Sequence, residues 1–131
     1  MNKKQLCQMA IEATNKSYSP YSNCKVGAAL LCADGQVFTG CNIENKSFSP
    51  TICAERTAFV KAISEGVTKF SAIAIAAKRD DSLATFTPCG VCRQVMSEFC
   101  NDDFAILVVT GEDAYSEYTL ADMLPYSFKL D

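Results

Sequence analysis

A chain of 131 residues with 49% hydrophobic and 21% charged side chains has the size and composition of one packed domain, spanning 1–131, and is too short for two. Its net charge of −3 argues against a broad phosphate-binding surface, so a small partner is expected rather than nucleic acid. Histidine is absent, which leaves metal ligation and proton transfer to thiolates, carboxylates, hydroxyls and backbone.

Two lysines open the chain, but an amphipathic pattern follows them instead of a continuous apolar run. Neither a secretory signal nor a membrane span is expected. The eight cysteines accompany an ordinary core composition, which suggests a reducing cytoplasm with thiols free or metal-bound. Leu6, Met9, Ala10 and Ala13 recur at helical spacing, and the helix they predict fades near Ser17. A loop of turn formers and hydroxyls follows over 18–23. Val26 to Ala33 is short and apolar, as a strand buried on both faces would be. Asp34-Gly35 predicts a type I′ hairpin, with the chain returning antiparallel from Gln36 to Ile43. Asn42 and Glu44 then fall at the end of that strand.

Ala54, Ala58, Phe59, Ala62 and Ile63 form a helical stripe that Gly66 stops, which places Cys53 at the start of a helix. Thiolates are favoured there by unsatisfied N–H groups and the helix dipole. Phe70 to Ala77 predicts a third strand and Lys78 to Thr87 a polar loop. Thr87-Pro88 reads as the N-cap and first residue of another helix, with Val91, Val95 and Phe99 as its apolar face. Phe104 to Thr110 predicts a fourth strand and Tyr115 to Leu120 a fifth, at the edge, before a short helical turn and a C-terminal tail. The order α-β-β-α-β-α-β-β implies an α/β domain in α-β-α layers around a five-stranded mixed sheet.

The chemistry gathers in two stretches. Cys89 and Cys92 lie at i and i+3, so both thiols point to one side of a helix, and Cys53 offers a third sulfur. Three thiolates leave one position of a tetrahedral zinc open to water, as in a catalytic site. Glu55, two residues from Cys53, is placed to handle that water's proton, and Arg56 is a nearby cation able to hydrogen-bond the thiolates. A surface salt bridge is the alternative for Arg56, and a solvated first-turn carboxylate for Glu55. Cys24 as a fourth sulfur would close the site and make it structural. Cys7, Cys32, Cys41 and Cys100 read as small buried hydrophobes.

Cys53-Ala54-Glu55 followed by Pro88-Cys89-Gly90-Val91-Cys92 resembles the three-cysteine signature of the zinc nucleoside and nucleobase deaminases. Tyr18-Ser19-Pro20-Tyr21-Ser22, Val26-Gly27-Ala28-Ala29-Leu30, Gly40-Cys41-Asn42-Ile43-Glu44-Asn45 and the residues following both signatures extend the likeness over nearly the whole chain, to the small homotetrameric cytidine deaminases. The resemblance implies one zinc per subunit on Cys53, Cys89 and Cys92, with Glu55 as proton shuttle and Arg56 offsetting thiolate charge. It implies that Asn42 and Glu44 grip the ribose hydroxyls, that the backbone at Ala54 holds the pyrimidine, and that Phe128 reaches a neighbouring subunit's site to stack on the base. The implied activity is zinc-dependent hydrolytic deamination of cytidine and 2′-deoxycytidine in pyrimidine salvage, with no nucleic-acid or membrane partner.

Two positions depart from the family. Cys24 stands where its members usually have Phe against the pyrimidine, and Phe48 where they usually have Tyr in the sugar region. Both leave open the same chemistry on a modified or antibiotic cytosine nucleoside, as in the blasticidin deaminases. From other classes, a non-catalytic zinc module would need a fourth protein ligand, and a Cys89/Cys92 dithiol redox protein would leave Cys53 and Glu55 unexplained.

Overall fold

The computed structural model describes residues 1–130. Helix α1 (Lys3–Ala13) opens on a capping box, in which Asn2 accepts from Gln5 N while Gln5 accepts from Asn2 N. A 3₁₀ turn over Thr14–Lys16 leads into β1 (Cys24–Cys32) and β2 (Val37–Cys41). Next come α2 (Ala54–Ser64), β3 (Phe70–Arg79), β4 (Ser82–Ala84), α3 (Gly90–Phe99), β5 (Ala105–Gly111), β6 (Ala114–Thr119) and α4 (Leu120–Met123).

The sheet runs β2-β1-β3-β5-β6, with the short β4 pairing off this path to β3. Only β3 and β5 are parallel neighbours. The expected mixed sheet is therefore present but has six strands, not five. The extra strand lies in the stretch read as a polar loop: Asp80 and Asp81 both adopt positive φ, 51° and 62°, and fold Ser82–Ala84 back on β3. Two adjacent αL residues are the requirement of a type I′ hairpin. At Asp34-Gly35, where that turn was expected, only Gly35 has positive φ (93°). There Gly35 N donates to Cys32 O and Cys32 N to Gln36 O, which makes a three-residue loop with glycine in the αL position.

Alternation along the strands sorts the core into two layers. Ala28, Leu30, Ile73, Ile75, Ile106 and Val108 point to the face covered by α2 and α3. Ala29, Ala74, Ala76, Leu107 and Val109 point to the other, covered by Leu6, Cys7 and Ala10 of α1. Gly27 lets α1 lie close, since a Cβ there would meet Ala10 O at 2.2 Å and Thr14 N at 2.6 Å.

The two crossovers decide where the chemistry sits. One leads from β2 through α2 to β3, the other from β3 through α3 to β5, and both advance in the same direction across the sheet. Right-handed connections advancing the same way place both helices on one face, with both N-termini at one end of the sheet. Residues 53 and 89 are thereby brought together across 36 positions of sequence. No helix among the described residues is long and apolar enough to cross a membrane.

Candidate active site

Cys53 caps α2 and Cys89 caps α3, each in extended backbone just before its first helical turn. The cap of α3 thus lies two residues downstream of Thr87, where it was expected: the Cys89 sulfur takes the role, accepting from Cys92 N at 3.5 Å. A thiolate can occupy the place of a capping oxygen because the free N–H groups of the first turn stabilise its charge. On α3 the apolar face runs through Cys92, Val95 and Met96, whereas Val91 is exposed.

The three sulfurs converge. Cys53 and Cys89 Sγ are 3.7 Å apart, Cys89 and Cys92 Sγ 3.5 Å, and all three lie within 4.8 Å of one another. A disulfide needs about 2.05 Å, whereas Zn–S bonds of about 2.3 Å in a tetrahedron put sulfurs about 3.8 Å apart. The spacing therefore fits the edges of a zinc site and not a cystine. Cys24 stands outside the cluster, so three protein sulfurs are grouped and not four. Cys7 and Cys32 are buried as expected, while Cys41 and Cys100 are only half-buried.

Arg56, one helical turn into α2, donates from Nη2 to Cys53 Sγ at 3.4 Å, and its Nε is buried without a hydrogen-bond partner. The Cys92 thiol and then the guanidinium bring Cys53 down to about 5 against the opposing effect of burial. The same hydrogen bond, together with burial, pushes the Cys92 thiol up. Glu55 is 4% exposed. Burial first, aided by the negative charge on Cys53, pushes its carboxyl up to about 7.

A cavity of about 230 Å³ opens beside this cluster. Cys53, Cys89, Glu55, Ala54, Asn42 and Cys24 all line it. A second cavity of about 410 Å³ holds Glu44 and Phe48 beside Tyr21 and Ser22, and Thr51 lines both. Asn42 is nearly buried: Oδ1 accepts from Ser17 Oγ and from Val26 N (2.9 Å), and Nδ2 donates to Cys24 O (2.8 Å). One amide hydrogen of Asn42 has no partner among the described residues. Glu44 Oε1 accepts from Tyr21 N (2.9 Å) and Ser22 N (3.1 Å), and Oε2 from Ser22 Oγ. Burial pushes this carboxyl up, but the hydrogen bonds from Ser22 and Tyr21 prevail and hold it below its ordinary value. Phe48 is exposed at positive φ (62°), edge-on to Tyr21 at 6.1 Å.

Phe128 is not brought to this site within its own chain. It is 70% exposed and lies over α3 with Gln94, Ser97 and Glu98. Sequence reasoning passed over Phe86 and Thr87, which line the cavity, and Arg79, whose Nε donates to Cys24 Sγ at 3.5 Å. Phe86 lay in a stretch read only as polar loop, where no periodicity marks it.

A family model described as the cytidine and deoxycytidylate deaminase zinc-binding region matches residues 1–108. The cytidine deaminase of Sporosarcina psychrophila is 44% identical over 98% of this chain and 92% of its own length. That of Halalkalibacterium halodurans is also 44% identical, over 98% of this chain and 95% of its own. The crystal structure of cytidine deaminase from Burkholderia pseudomallei superimposes with a TM-score of 0.89 at 39% identity, covering 98% of this chain and 100% of that one.

Proposed function

Since this chain belongs to the cytidine and deoxycytidylate deaminase family, we propose that it hydrolyses cytidine and 2′-deoxycytidine to the corresponding uridine nucleosides and ammonia, serving pyrimidine salvage in the cytoplasm. The observation that carries the reading is the triangle of thiols with sulfurs 3.5 and 3.7 Å apart, walled by a buried carboxyl and open to a cavity.

Cys53, Cys89 and Cys92 would hold the zinc, one per subunit, and Arg56 with the two helix N-termini offsets the charge of the thiolates. When bound, the metal supplies Lewis-acid activation of a water molecule. Glu55 takes that water's proton, delivers it to N3 of the pyrimidine and then moves a proton to the departing amino group. Its carboxyl, poised at about 7, can both accept and return a proton. Water adds across the N3=C4 bond, and the C4 hydroxyl loses its proton to become the carbonyl as the amino group leaves as ammonia, so atoms and charge balance.

The backbone at Ala54 orients the base beside Glu55. The unpartnered amide hydrogen of Asn42 and the Glu44 carboxylate are offered to the ribose hydroxyls, with Ser17 and Ser22 holding both side chains in place. Groups placed to hydrogen-bond a sugar hydroxyl select for its presence, and the 3′-hydroxyl is common to cytidine and 2′-deoxycytidine. Cys24 and Phe48 border the base and sugar regions. Phe128 completes a neighbouring copy's site in a homotetramer, which accords with its exposure and its distance from its own chain's cavity.

The test is ammonia release from cytidine, deoxycytidine, 5-substituted cytidines and blasticidin, measured alongside zinc stoichiometry. One zinc per chain with turnover of the plain nucleosides is the expected result. Turnover confined to a bulky analogue would overturn the substrate assignment, and turnover by metal-free protein the whole reading.

A further inference from the structure

Of the residues lining the cavity beside the thiol cluster, Phe86 alone is aromatic. It stands on the irregular segment between β4 and α3, three residues before Cys89, and is half-buried. A lone half-buried phenylalanine on irregular chain has little backbone restraint. Here the restraint comes from a side chain: the Arg79 guanidinium lies over the ring, 5.2 Å from its centroid. The same guanidinium donates through Nε to Cys24 Sγ, on the strand paired with its own. Arg79 has no carboxylate within ion-pair distance among the described residues, and the Asp80 charge acts on it only from farther away. The cavity-lining ring and thiol are thus tied to each other through one guanidinium, which is not itself among the lining residues.

Apart from the polar Asn42 and Glu55, a planar heterocycle entering this cavity meets aliphatic or small side chains elsewhere, among them Val26, Ala54 and Ile75. Aromatic rings recognise such planes through offset or edge contacts that aliphatic groups cannot reproduce. We propose that Phe86 is the ring against which this chain's own subunit packs the pyrimidine, and that Arg79 is the positioning residue that fixes it there. The inference rests on the nucleoside reading above and names the part of the wall that selects the base.

The test combines steady-state kinetics on cytidine with calorimetric binding of uridine, in zinc-loaded wild type and in Phe86→Leu, Phe86→Tyr and Arg79→Met. Leucine keeps apolar volume without the ring, so Phe86→Leu is expected to raise KM for cytidine and Kd for uridine about tenfold, with kcat within about twofold. Phe86→Tyr retains the ring and should restore wild-type KM. Arg79→Met should shift KM in the same direction by a smaller factor, with zinc content unchanged in all three. Unchanged KM and uridine affinity in Phe86→Leu would overturn the inference, as would a fall confined to kcat and zinc content, since Phe86 would then merely shape the loop before Cys89. A wild type that released no ammonia from cytidine would sink the deaminase reading and this one together, whereas normal wild-type turnover beside an unaffected Phe86→Leu would sink this one alone.

Discussion

Burial holds the Glu55 carboxyl near neutrality, where a group that must both take and return a proton works best. The Cys53 thiol, three residues from the guanidinium that touches it, is pulled the opposite way. Two neighbouring ionisable groups driven apart by their surroundings accord with the acid–base role and the ligand role proposed for them. Glu55→Gln keeps the volume and removes the proton chemistry. It is expected to cut kcat by about 100-fold or more while one zinc per chain and the thermal midpoint are retained. A variant with wild-type kcat would remove Glu55 from the mechanism. The signature spacing made Glu55 and the three cysteines legible in sequence, because ligands on one helical turn must sit at i and i+3. Arg79 and Phe86 were not legible, since an arginine over a ring leaves no periodic trace.

The glycine in β2 shows how an element is fitted to the site. A Cβ on Gly40 would meet Ala54 O at 2.4 Å and Ala58 N at 2.5 Å, both in the backbone of α2. Gly40→Ala must therefore push away the helix whose cap is Cys53. We expect it to cost about 1–3 kcal/mol in denaturant unfolding and to lower zinc retention in chelator competition. Gly27→Ala meets the backbone of α1, on the opposite face, and should lose comparable stability with zinc retained. Equal zinc loss in both variants would refute this separation. In the hairpin between β3 and β4, Asp81 occupies positive φ, a conformation that glycine adopts without steric penalty. Asp81→Gly completes the preferred Asp-Gly pair and should raise the thermal midpoint by a few degrees, seen by calorimetry. A lowered midpoint would mean that the aspartate side chain contributes more than the strain it carries. The hairpin was missed because Lys78 to Ser82 is charged or polar throughout and offers no apolar alternation, so only the paired backbone defines it.

At the scale of the molecule, Tyr126, Phe128 and Leu130 have 104%, 70% and 86% of their surfaces exposed, on a tail in which none of residues 126–130 is buried. The tail's ion pair, Lys129 to Asp102 at 3.2 Å, is exposed and holds little. Large apolar side chains so presented suit an interface with another copy. Removing residues 126–131 should leave the far-ultraviolet dichroism and zinc content of the chain intact. On the role proposed for Phe128 in a neighbouring copy's site, cytidine turnover should fall about tenfold or more. Full activity in the truncated chain would exclude Phe128 from any active site.

Sequence by itself determined the main helices, five of the strands and the three cysteines that cluster, because periodicity and ligand spacing are local properties that survive without a fold. It placed Cys53 at a helix start and the Cys89/Cys92 pair on a first turn, both as observed. The type of each hairpin, the sixth strand, the cap on α3 and the base-side wall of the cavity were decided only by tertiary structure. The physical reason is the same in each case. Backbone pairing, the hand of the two crossovers and the reach of a guanidinium across paired strands are set by how segments meet, which leaves no mark in local periodicity.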